Sequence, residues 1–376
     1  MSPKLNNFLT DHQQDTPFLV VDLEIVRSQY LRLVNQFPSA SIYYAIKANP
    51  APELLSILKE LGSCFDVASL QEVQMCLDVG ISADRISYGS TIKKAKHIAS
   101  AFEHGVTLYS FDSLEELKKI ARHAPGSRVC CRILVETTGA EWSLARKFGC
   151  DREMAYDLLK LSAQLGLQPH GLSFHVGSQQ TDPTQWRQPI QDAADLWEQL
   201  KAVGIDLQLL NIGGGMPAQY RHATLPDTAY SQAIHDAIAS AFGDTLPELM
   251  LEPGRSLVGD AGIIQTEVVL ISQKSRHEDQ RWVYLDIGKF GGLIETLDEA
   301  IKYRIQTPHD GQITGPVVLA GPTCDSADVL YEKAGYELPL GLQIGDRIEI
   351  LSTGAYTTTY SSVAFNGFEP LRAYYI

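Results

Sequence analysis

Lys47 closes the apolar run YYAIKANP. Partial burial favours the neutral amine, and a neutral lysine amine can form a Schiff base with a carbonyl group. The alternative is a lysine whose stem follows the strand while its ammonium reaches water. His175 ends FHVGS. It is either a structural imidazole or a flat ring stacked on a planar cofactor. Gly213, Gly214 and Gly215 follow LQLLNI. Successive glycines let backbone N–H groups approach a phosphate, although an ordinary tight turn would use them too. The spacing is not GxGxxG, so the dinucleotide fingerprint is absent. Glu252 and Arg255 lie in LEPGRS. A carboxylate there can pair with a pyridinium nitrogen and a guanidinium can take a phosphate. A surface ion pair, worth little, is the other reading.

These residues stand at the ends of strand-like runs. Such runs occur at 41–49, 64–69, 85–90, 106–112, 128–136, 171–178, 207–215 and 248–255. Between them, APELLSILKELG, LQEVQMCLDVG and SLEELKKIARHA place apolar residues at helical spacing. Alternating β and α segments predict a parallel sheet, and eight units over this length predict a (β/α)8 barrel. An open doubly wound sheet is the structural alternative. Barrel sites form at the C-terminal strand ends. Those ends carry Lys47, Asp66, Ser69, Tyr88, Asp112, Arg132, His175, Ser178, the glycine triplet, Glu252 and Arg255.

After residue 260 the texture changes. TEVVLIS, RWVYLDIG, GPVVLAG and DRIEILS read as strands without regular helices between them. The expected division is a barrel over 24–260 and a β-domain built from 1–23 and 261–376, with the early strand PFLVVDL pairing into the latter.

The chain has 376 residues, 44% hydrophobic and 20% charged, with a net charge of −14. That balance argues against a general nucleic-acid binder, which would show a basic patch. No apolar run reaches membrane-span length. The N-terminus lacks the apolar core of a secretory signal, so a cytoplasmic protein is expected. The six cysteines, Cys64, Cys76, Cys130, Cys131, Cys150 and Cys324, form no CxxC pair and have no metal-type spacing with histidine. Most are expected to be buried thiols in a reducing compartment.

Taken together, YYAIKANP, FDVASLQEV, FHVGSQ, NIGGGMP, EPGR, GPTCDSADVL and GAYTTTYSSVAFNGF resemble the pyridoxal-phosphate enzymes of the alanine-racemase-like fold. Within that group the chain looks most like the ornithine, diaminopimelate and arginine decarboxylases, in particular short bacterial ornithine or lysine/ornithine decarboxylases. The resemblance runs from about residue 16 to 370, in order. It implies that Lys47 holds pyridoxal 5'-phosphate as a Schiff base, that His175 stacks on the ring and that Glu252 keeps the ring nitrogen protonated. Ser178, Gly213, Gly214, Gly215 and Arg255, with Gly254 of the same EPGR turn and Tyr356 of GAYT, would hold the phosphate. Asp66, Glu72 and Arg132 would brace the site. Cys324 and Asp325 would reach the site from the second subunit of a head-to-tail homodimer. There Cys324 would protonate the substrate Cα after carbon dioxide leaves and Asp325 would bind the distal ammonium, with Tyr356 beside the substrate.

An aspartate after the cysteine suits a distal cation. Diaminopimelate enzymes must bind a second carboxylate there, and in that subfamily a glutamate commonly follows the cysteine. A second acidic residue is expected on a short specificity helix in GLIETLDEAIKY. Asp298 fits by spacing and Glu295 is its rival. The expected reaction is therefore decarboxylation of a basic L-amino acid: ornithine to putrescine, with lysine to cadaverine as a second activity. One methylene separates these substrates, worth only about 1–3 kcal/mol in a pocket. Arginine is disfavoured, because longer enzymes that share this core carry extra domains. Other readings are a diaminopimelate decarboxylase and a decarboxylase-like regulator that has lost catalysis. A racemase on the same fold would lack CDSAD, and a metal-dependent barrel hydrolase would need clustered histidines and carboxylates at the strand ends.

Overall fold

The computed structural model describes residues 2–11, 14–136, 138–142 and 147–376. It divides into two compact units, one of Arg27–Pro217 with Leu225–Ser256, the other of Met1–Val26, Ala218–Thr224 and Leu257–Ile376.

The first unit is a closed barrel of eight parallel strands. They are β1 Ala40–Ala45, β2 Cys64–Val67, β3 Ile86–Tyr88, β4 Leu108–Phe111, β5 Arg128–Arg132, β6 Gln168–Ser173, β7 Leu209–Asn211 and β8 Glu248–Leu251. Sequential strands are neighbours throughout, and β8 closes on β1 through Leu249↔Ala40, Met250↔Ser41 and Leu251↔Ile42. The (β/α)8 expectation is met. Tyr43, Leu108, Cys130, Leu209 and Met250 pack together. Five strands therefore contribute to one layer of side chains, which makes the barrel a packed core rather than a pore. The strands are shorter than the β-rich runs of the sequence. Ile46–Ala48 forms a 3-10 turn directly after β1, and β6 stops at Ser173, before His175. The runs overshoot because the apolar composition continues into buried loops: Phe174 and Val176 are fully buried outside the strand.

The second unit is built on an eight-stranded sheet. Its main path runs Ile305–Gln306, Arg347–Leu351, Gly262–Ser272, Arg281–Leu285, Thr314–Ala320 and Val329–Pro339. Phe18–Val21 lies antiparallel to Gly262–Gln265 and parallel to Arg372–Tyr375. The helix Pro3–Asp11 sets Leu5 against Phe18, Val20 and Ile263. That helix was not legible in a polar N-terminal sequence. Nor was the strand Val329–Pro339: its pairing with Thr314–Ala320 shifts register twice, between Val317 and Leu319 and again before Ala320. Each shift breaks the two-residue alternation that marks a strand. Among the described residues no helix is long and apolar enough to cross a membrane.

Candidate active site

The C-terminal rim of the barrel gathers most of the residues singled out above. Lys47 sits in the turn after β1 and Asp66 lies on β2, with Nζ 3.8 Å from Oδ2. The Lys47 side chain is 48% exposed and that of Asp66 only 4%. Asp66 Oδ1 is buried without a hydrogen-bond partner among the described residues. Burial raises the Asp66 carboxyl above the usual carboxylate range; Glu252 adds to the shift, and Lys47 opposes it. A buried carboxylate with an idle oxygen beside a reachable lysine is costly by itself and suits a site that a polar ligand completes.

Glu72 has a local role that spacing did not reveal. Ser69 caps the helix Leu70–Asp78: its Oγ accepts from Glu72 N–H at 3.2 Å, while Glu72 Oε2 accepts from Ala68 N–H at 2.6 Å. This is close to a capping box. Burial raises the Glu72 carboxyl, with the Ala68 N–H and Lys47 opposing.

Arg132 ends β5. Burial lowers its proton affinity, while Glu252, Asp112 and Asp66 act in the opposite sense. Its guanidinium lies over the Phe148 ring at 5.0 Å. Asp112 accepts from Gly149 N–H at 2.8 Å. His175 is held far below its usual pKa by burial, then by Arg132 and Lys47. Its Nδ1 accepts from Gly177 N–H at 3.0 Å, which fixes a neutral ring with the proton on Nε2.

The glycine triplet is required by close packing whether or not phosphate binds. A Cβ at Gly213, Gly214 or Gly215 would come within 2.5 Å of the carbonyl oxygens of Phe174, Glu252 and Gly177 respectively. Gly213 and Gly215 also take φ of +67° and +102°, which side-chain-bearing residues rarely adopt. Asn211, at the end of β7, went unnoticed in the sequence. It is buried, its Nδ2 donates to Glu252 Oε1 at 2.6 Å, and its Oδ1 accepts from Gly213 N–H at 2.9 Å. An asparagine closing an apolar strand, one residue short of the glycines, was the available signal.

Arg255 opens the short helix Arg255–Val258 after the buried Gly254, and both its Nε and a terminal nitrogen lie 3.2 Å from Ser178 Oγ. The donor set on this rim fits a planar phosphorylated cofactor. It offers an arginine with a serine hydroxyl, a side-chain-free backbone at the triplet, a neutral imidazole, an anchored carboxylate and an amine.

The remaining candidates belong to the second unit. Cys324 and Asp325 are exposed in the loop before Val329–Pro339. Asn366 Oδ1 accepts from Cys324 N–H at 2.8 Å, and Asp325 Oδ1 accepts from Ala327 N–H at 2.8 Å. Tyr356 takes φ of +57° and packs its ring 5.8 Å from that of Tyr360. The expected specificity helix is not a regular helix. A single π turn over Lys289–Leu293 is followed by a 3-10 turn, Ile294–Glu299, broken at Leu297 and Asp298. Glu295 is 3% exposed, while Asp298 is exposed.

Comparisons agree with the geometry. Residues 23–259 match the family described as pyridoxal-dependent decarboxylase, pyridoxal binding domain. The chain is similar to the lysine/ornithine decarboxylase of Selenomonas ruminantium, at 36% identity over 94% of this chain and 88% of that one. It is also similar to antizyme inhibitor 2 of Xenopus laevis, at 30% identity over 98% and 83%. The arginine decarboxylase of Paramecium bursaria Chlorella virus, solved with agmatine, superposes with a TM-score of 0.91 at 30% identity, covering all of both chains. Length therefore does not set arginine enzymes apart from this chain, and the expectation built on it is withdrawn. The barrel, the rim chemistry and the matched sequence converge: this chain belongs to the pyridoxal-dependent decarboxylase family.

Proposed function

We propose that the protein decarboxylates a basic L-amino acid, L-ornithine to putrescine first and L-lysine to cadaverine second, with pyridoxal 5'-phosphate held on Lys47. The observation that carries this reading is the rim set itself, in which Lys47, Asp66, Arg132, His175, Ser178, Glu252 and Arg255 occur in one barrel unit. When bound, pyridoxal phosphate supplies an electron sink for the pair left at Cα as carbon dioxide departs. Glu252, fixed by Asn211, is an anion that favours a protonated ring nitrogen. His175 presents a neutral flat ring. Arg255, Ser178, Gly254, the triplet and Tyr356 take the phosphate, the arginine through charge-assisted bonds. Asp66 and Arg132 brace the site around the lysine.

Cys324 and Asp325 serve the partner's barrel in a head-to-tail homodimer. The Cys324 thiol carries the proton delivered to Cα. Asp325 binds the distal ammonium, and Asp298 is the second acidic position. What supports Asp298 over Glu295 is accessibility: an enclosed carboxylate cannot meet a substrate cation. The free cysteines suit a reducing, cytoplasmic setting.

The test is amine formation by the purified protein with pyridoxal phosphate, comparing kcat/KM for ornithine, lysine, arginine and meso-diaminopimelate. A lead for ornithine or lysine is expected. A lead for arginine moves the substrate one class along the same cationic series. Activity on diaminopimelate alone overturns the role of Asp325, and a protein that binds the cofactor but turns over none of the four is a regulator.

A further inference from the structure

We propose that Asp328 is a positioning residue: its buried carboxylate joins the Cys324–Asp325 loop to the Lys289–Glu299 turn, so that Asp325 and Asp298 are presented as one unit. The inference rests on the reading of Cys324, Asp325 and Asp298 given above.

Asp328 is 2% exposed, and both its oxygens are used. Oδ1 accepts from Lys289 N–H at 2.8 Å. Oδ2 accepts from Thr323 N–H at 3.1 Å and from Thr323 Oγ1 at 2.7 Å. Each of these three donors sits on one of the two segments. Lys289 opens the turn that leads to Asp298, and Thr323 precedes Cys324. The backbone of Asp328 closes the same loop, its carbonyl accepting from Gly321 N–H at 2.8 Å and its N–H donating to the Asp325 carbonyl at 3.0 Å. A Cβ on Gly288 or Gly321 would lie 2.1 Å and 2.4 Å from the carboxylate oxygens. Two glycines thus make the cradle into which this side chain fits.

The far end of the turn is fixed by a second carboxylate. Glu299 Oε1 accepts from the N–H groups of Glu332 and Lys333, each at 2.7 Å. Those bonds hold Asp298 and Glu299 in consecutive left-handed conformations, φ +51° and +55°, which cost energy in non-glycine residues. The turn is therefore anchored at both ends while Asp298 stands exposed between them. Loosening Asp328 frees one anchor and the Cys324 loop together.

Asp328→Asn is the discriminating variant. Asparagine keeps the shape but turns one acceptor into a donor facing an N–H group. In the holoenzyme, kcat/KM for ornithine and lysine should fall about tenfold or more. The ratio between the two substrates should shift about threefold, because a displaced carboxylate no longer meets the ammonium at the length it was set for. Pyridoxal phosphate affinity should stay within about twofold, and the alkylation rate of Cys324 by iodoacetamide, read by peptide mass spectrometry, should change about threefold or more. Thr323→Val should show the same pattern more weakly and Thr323→Ser should restore it, which keeps the claim testable if Asp328→Asn folds poorly. An unchanged substrate ratio and an unchanged Cys324 alkylation rate in folded variants overturn the proposal, as do losses that follow melting temperature alone. A wild-type protein inactive on every basic amino acid sinks the activity reading instead, and the alkylation arm then decides the positioning claim.

Discussion

Asn211 holds Glu252 with its amide nitrogen at 2.6 Å and the Gly213 N–H with its carbonyl at 2.9 Å. One buried side chain thus sets both the carboxylate proposed to pair with a ring nitrogen and the first residue of the glycine triplet. Asn211→Ala removes both bonds and leaves the carboxylate turning freely. Pyridoxal phosphate affinity should drop about 10- to 100-fold, the range for losing a buried bond to a charged group. Absorbance titration of the cofactor-free protein reads this directly, and an affinity within about twofold of wild type would show that Glu252 needs no support.

Asp66 gives a pH signature in the cofactor-free protein. Its folded pKa is raised above 3.8, chiefly by burial. In the window above 3.8 the folded state keeps a proton that the unfolded chain has released, so stability falls as pH rises through it. Asp66→Asn removes that slope. The cofactor-free variant should be more stable than wild type at pH 7, with the gap closing toward pH 4. Urea unfolding at several pH values checks it. A constant gap would mean that Lys47 fully compensates Asp66.

The barrel was legible because β-rich and helical segments alternate eight times, and its rim because a charged or polar residue closes nearly every strand. What sequence could not show was which acids are committed to the backbone. Glu72 completes a helix cap. Glu295 is enclosed and Asp298 exposed, while Glu299 bonds to the N–H groups of residues 332 and 333, a contact between segments more than thirty residues apart. The helix expected over GLIETLDEAIKY fails for the same reason. Its apolar spacing is adequate, but long-range bonds impose left-handed backbone at Asp298 and Glu299.

A buried ionic cluster near the rim should matter for stability alone. Lys93 Nζ, with its side chain wholly enclosed, lies 3.0 Å from Glu116 Oε1, while Lys119 Nζ lies 2.5 Å from Oε2. Lys93 also donates to the carbonyls of Ser90 and Ser110 at 2.6 Å and 2.7 Å. Lys93→Met strands two carbonyls and halves the charge compensation of Glu116. Breaking a buried pair costs about 3–5 kcal/mol. Denaturant unfolding should show a loss of that order, with KM for the amino acid unchanged in the folded variant.

Asp298 and Glu295 are separable by kinetics. Asp298→Asn should raise KM for ornithine and lysine about tenfold with a smaller effect on kcat, since on the proposed role it removes the charge that meets the substrate cation. Glu295→Gln, at a buried position, should leave KM near wild type and lower the melting temperature. The reverse result would transfer the specificity role to Glu295 and require the turn to open on substrate binding.

The proposed shared-site arrangement is open to mixing. On the proposed reading, a Lys47→Ala chain lacks the amine that would hold the cofactor, and a Cys324→Ala chain lacks the thiol that would be offered to the partner. Each homodimer should therefore retain little activity. In a two-fold dimer formed at random from equal amounts, half the dimers are mixed and each mixed dimer carries one intact site, so about a quarter of wild-type activity should return. Activity that rises on mixing under subunit-exchange conditions, and not when exchange is blocked by cross-linking beforehand, establishes sites built from two chains. If mixtures never exceed the sum of their parts, each chain uses its own Cys324, and the second unit must serve the barrel of the same polypeptide.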